Sequence, residues 1–151
     1  MADLSVRAPL DAEGLVDALF KRVDFKSAGF DRVVVLPRVI ADTDSFAIDH
    51  DVVIWHCGSP SQPDWNVKAW VWRFALSLTV VNRDPDLNYQ LCSFLHETIS
   101  RWPYDDSTEF GRVGAIPDNP MFELVAIGDI VTTKTAVVRS CMKLIQAGSP
   151  R

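Results

Sequence analysis

Trp70-Val71-Trp72-Arg73-Phe74-Ala75-Leu76-Ser77-Leu78-Thr79-Val80-Val81-Asn82-Arg83-Asp84-Pro85-Asp86 decides the fold. From Trp70 to Val80 every even position is a sizeable apolar residue, and the odd positions between are smaller or more polar. A period of two places one face of a strand against a core and leaves the other lighter. Asn82 to Asp86 breaks the strand and opens a helix, with Asp84 as N-cap and Pro85 in the first helical position. Leu87, Leu91, Phe94, Leu95, Thr98, Ile99 and Trp102 then recur at spacings of three and four, one stripe of a helix that Pro103 stops.

Upstream, Pro9 to Val23 is an amphipathic helix with acidic residues in its first turn and Lys21 and Arg22 late. Gly14 weakens this helix, and Gly29 marks the boundary after it. Asp31 to Val35 holds three consecutive valines, a β-branched run that favours a strand, ended by Pro37. Asp51 to Cys57, closed by Gly58, is a second strand, and Gly58 to Asn66 is a Pro- and Ser-containing loop. After the central unit, 104–120 is expected to be a long loop, since it carries prolines, glycines and acidic residues without a period. Met121 to Val131 reads as a strand or a helical turn plus strand, and Ala136 to Ile145, apolar on both parities, as a central strand or one sandwiched against another subunit. Gln146 to Arg151 is expected to fray. Clustered strands with helices at separate points give an α+β class: one domain over 1–151, a mainly antiparallel (mixed) sheet and two flanking helices.

The bulk properties narrow function by exclusion. At 151 residues with 48% hydrophobic and 23% charged content, the chain is long enough for a real core and is not wholly disordered. No apolar run approaches the roughly 20 residues that span a bilayer, and no basic segment followed by an apolar core opens the chain. A membrane partner is therefore not expected, and synthesis in a cytoplasmic setting is. A net charge of -5 argues against gripping nucleic acid through its phosphates. Cys57, Cys92 and Cys141 are odd in number and irregularly spaced, which fits buried free thiols and no disulfide framework or metal pair.

No catalytic, cofactor-binding or metal site emerges from the residues. His50 lies between Asp49 and Asp51 in a turn, where adjacent side chains diverge. His56 and Cys57, adjacent in a strand, face opposite ways. The glycine patterns of nucleotide loops and nucleophile elbows are missing. Five tryptophans ask for a reason. Trp55 and Trp102 suit a core, whereas Trp65, Trp70 and Trp72 suit a small core, an aromatic ligand pocket or a protein contact. With Tyr104 and Phe110 from the long loop, Trp65, Trp70 and Trp72 are the candidate interface residues.

The layout resembles the tail terminator proteins of long-tailed (siphovirus-type) bacteriophages, those of actinobacterial phages above all. The likeness is carried by the opening helix Pro9 to Val23, the strand Val33 to Pro37, the unit Trp72 to Asp84 leading into Leu87 to Trp102, and the closing strand Ala136 to Leu144. It spans about the whole chain as a layout and loose pattern, and departs from the family in a longer tryptophan-rich stretch before the central strand and a long loop after the helix. The resemblance implies a non-enzymatic virion protein without cofactors. It would form a homohexameric ring that caps the tail tube, stops tube polymerisation and joins tail to head. Its partners would be its own copies, the tail-tube protein and a head–tail connector or stopper, with DNA passing through the lumen without specific binding. Two alternatives stay open: another neck component, or a small α+β cone-like ligand-binding domain or enzyme with Trp55, His56, Trp70 and Trp72 lining an aromatic pocket.

Overall fold

The computed structural model describes residues 10–37, 49–61, 71–115, 123–127 and 137–148. Helix α1 spans Ala12–Lys21 and helix α2 Pro85–Arg101, followed by a 3-10 turn, Trp102–Tyr104. The strands are β1 (Val33–Leu36), β2 (Asp51–Cys57), β3 (Val71–Asn82), β4 (Arg112–Ala115), β5 (Glu123–Ile127) and β6 (Val137–Gly148). They form one mixed sheet in the order β1-β2-β3-β6, with β4 and β5 sharing the far side of β6. Among the described strands β1 and β2 run parallel and the other pairings are antiparallel. This is the α+β class expected.

Strand β3 is the sheet's spine, paired along its length with β6 and over half of it with β2. Its even positions Phe74, Leu76, Leu78 and Val80 are buried with Val53, Trp55 and Cys57 of β2 and Ile145 and Ala147 of β6. Leu15, Val16, Leu19 and Phe20 of α1 and Leu91, Cys92, Leu95 and Ile99 of α2 complete the same cluster, so both helices cover one face. The Phe20 ring joins the layers, stacking at 6.0 Å on Trp55 and meeting Trp102 edge-on at 5.3 Å. On the other face Val52, Ile54, Val81 and Leu36 make a small second cluster. On the same side of β3 the Thr79 hydroxyl lies 3.3 Å from that of Ser140 on β6.

Both helix starts are set by aspartate caps. The Asp84 carboxylate accepts from the amides of Asp86 and Leu87, and Asp11 accepts from Gly14. Helix α1 stops at Lys21, well before Gly29, because Arg22 and Val23 donate to the carbonyls three residues back and tighten the last turn. Gly29 instead serves a later turn at φ 95°, where Phe25 and Phe30 double back onto Phe94.

Two expectations need correction. Segment 104–120 is not loop throughout, since Arg112–Ala115 is strand β4, held against the end of β6. Residues 146–148 are not frayed: β6 runs to Gly148, whose neighbours are Val71 on one side and Arg112 on the other. A strand flanked on both sides keeps its ladder to the end.

Candidate functional site

Two surfaces lie at opposite ends of β3, roughly 33 Å apart at ~3.3 Å per residue. The first surrounds the Asn82-Arg83-Asp84 turn. Parallel pairing of β1 with β2 carries the preceding turn alongside, fixed by the Asp51 amide donating to the Arg32 carbonyl at 3.0 Å. Between this turn and the start of α2 opens a cleft of about 340 Å³. Phe30 and Leu87 give it apolar walls, and Asp31, Arg32, Arg83 and Asp84 give it a charged rim. Asp51 also lines the cleft but is only 3% exposed, unlike the exposed rim groups. Beside it Asn82, 1% exposed, donates its Nδ2 to Asp51 Oδ1 at 3.2 Å. The Asn82 Oδ1 is buried with no hydrogen-bond partner. The Lys21–Asp17 and Arg101–Glu97 ion pairs lie on exposed helix surfaces and not in the cleft.

The second surface is at the start of β3, where Trp72, Ala147 and Val113 lie side by side on successive strands. Trp72 is half-buried against the core, with its indole N–H buried and unpartnered. Phe110, also half-buried, rests on Gly14 of α1: a Cβ there would meet the ring at 2.7 Å. Tyr104 is 86% exposed. Their segment is tied down by Arg22, which donates to the carbonyls of Asp106 at 2.7 Å and Ser107 at 3.1 Å. The structure thus gathers Trp72 and Phe110 at one end of the sheet and places Tyr104 on the chain leading to it. Trp65 and Trp70 lie outside the described residues.

Of the residues named for an aromatic pocket, Trp55 and His56 face opposite ways on β2, and Trp70 lies outside the described residues. Trp55 is buried under Phe20, whereas His56 is exposed on the opposite side of the strand. Cys57 is buried, and its thiol donates weakly to the Ala12 carbonyl at 3.9 Å. Burial, reinforced by Glu13 and Asp11, pushes its pKa up to about 12, so it stays a thiol and a poor nucleophile. Among the described residues no group of three or more His, Cys, Asp or Glu side chains could hold a metal ion. No helix among them is long and apolar enough to cross a membrane.

The sequence reading missed the buried polar groups. Asn88 is fully buried on α2, donating its Nδ2 to the Val80 carbonyl at 3.2 Å and accepting from Cys92 Sγ at 3.6 Å. Its spacing from Leu91, Leu95 and Trp102 placed it on the buried stripe, which was the available signal. Asp51 and Asn82, at facing strand ends, had no such mark in the sequence. Comparison of the chain with protein-family models and with curated proteins finds no match.

Proposed function

We propose that this protein is a structural, non-enzymatic component of a phage virion, a tail terminator. In this reading copies of the chain form a six-membered ring that caps the tail tube, halts its growth and offers the neck a joining surface. DNA passes through the lumen without specific binding. The observation that carries the reading is the sheet's two outer edges. Neither β1 nor the β4/β5 side has a further strand partner among the described residues. Unpaired edges present rows of backbone donors and acceptors that a neighbouring copy can meet. The separate surfaces at the two ends of β3 add support, because a cap between tube and neck needs two distinct faces.

The exposed Tyr104 supplies a test. Substitution Tyr104→Ala leaves the thermal transition of the isolated chain nearly unchanged and weakens assembly, measured by light scattering and negative-stain imaging with tail-tube protein present. Assembly at wild-type strength removes Tyr104 from the interface. Wild-type chain that never forms a ring or binds tube ends overturns the reading.

A further inference from the structure

The cleft beside the Asn82-Arg83-Asp84 turn is lined by the nearly buried Asp51. Among the described residues the Asp51 carboxylate accepts one hydrogen bond, from Asn82 Nδ2, and takes part in no ion pair. The neighbouring Asn82 Oδ1 is buried with no partner at all. Turning the amide over would set its oxygen against the carboxylate, so the bond to Asp51 fixes its orientation. The Asp51 carboxylate thus lines the cleft in a nearly buried place, held from behind by the Asn82 amide. Such a group is costly unless donors reach it, and a charged donor offsets the most.

We infer that the cleft binds an alkylammonium or guanidinium group, seated on the Asp51 carboxylate that lines it. The apolar walls, Phe30 and Leu87, suit the methylene stem behind such a head group. A volume of about 340 Å³ leaves room for one long basic side chain. The rim arginines, Arg32 and Arg83, are exposed and screened by solvent, whereas Asp51 is 3% exposed, so the carboxylate dominates the field at the floor. Asp84 does not compete for the ligand, since its carboxylate caps α2. The cation comes either from a free small molecule or from a basic side chain of a second copy.

The test is titration of the full chain with N-acetyl-lysine methylamide and N-acetyl-arginine methylamide, followed by NMR at the Asn82 side-chain amide. The neutral norleucine analogue is the control. Saturable shifts with either cationic probe and none with the control are expected, and Asp51→Asn weakens binding at least tenfold. If that variant does not fold, Leu87→Lys serves instead: its tethered ammonium fills the floor and blocks the free probes. Light scattering on Asp51→Asn separates the sources. Lost self-association assigns the cation to a second copy, and unchanged self-association with lost probe binding assigns it to a free molecule. No saturable shift in the wild-type chain, or equal binding by Asp51→Asn, overturns the inference and leaves water as the occupant. Ring formation without probe binding sinks this inference alone, and probe binding without a ring sinks only the terminator reading.

Discussion

Gly14→Ala sets two effects of opposite sign against each other. In an open helix the change stabilises by about 1 kcal/mol, because alanine loses less backbone entropy than glycine. In α1 the new Cβ would lie 2.7 Å from the Phe110 ring and 2.6 Å from the Asp11 carboxylate. The aspartate can swing aside, though doing so strains the cap on Gly14, worth about 1 kcal/mol. The Phe110 ring has less freedom, since it packs on the core in a segment that the Arg22 guanidinium holds through two carbonyls. Displacing a half-buried phenylalanine forfeits on the order of 1–2 kcal/mol of burial. The losses outweigh the propensity gain, and Gly14→Ala is expected to destabilise by about 1 kcal/mol. Urea denaturation of a double-mutant cycle checks the cause. In a Phe110→Ala background the clash disappears, and Gly14→Ala becomes neutral or stabilising. A gain of about 1 kcal/mol in the wild-type background would refute the reasoning, because Phe110 could not then be resting on this glycine.

Two further predictions follow from buried groups. Asn88→Leu keeps the volume and removes the donor to the Val80 carbonyl, so it is expected to cost about 1–3 kcal/mol in urea denaturation; a more stable variant would contradict the hydrogen bond's role. Cys57 is protonated in the folded state with a pKa raised from 9.0 to about 12, so unfolding at high pH releases its proton. Its contribution to stability is complete below about pH 9 and is lost as pH rises towards 12. Thiol labelling read by mass spectrometry should leave the Cys57 peptide unmodified at pH 8 until denaturant is added; rapid labelling of the native chain contradicts this.

The sequence was most informative where a local period and a local cap agreed. Strand β2 has the bounds read from its apolar run, and α2 begins at the Asp84-Pro85 pair that marked it. The end of α1 and strand β4 were not legible for a shared reason. Arg112-Val113-Gly114-Ala115 has one large apolar residue and a glycine, and it is a strand because the end of β6 pairs with it. Gly29 looked like a helix boundary but serves a turn created by Phe25 and Phe30 packing on Phe94. Of the candidate surfaces, the exposed aromatic Tyr104 was visible from its place in a poorly patterned segment. The Asp51–Asn82 pair was not, because only the register of β2 on β3 brings together residues 31 positions apart.

The role proposed for this chain is to end a tail tube. The most direct measurement adds purified chain to growing tubes of the tail-tube protein from the same genome and images their lengths and ends by electron microscopy. Tubes that stop elongating and carry a six-membered ring at the capped end are the expected result. Tubes that keep growing at the same rate, with ends no different from those formed without the chain, would contradict it.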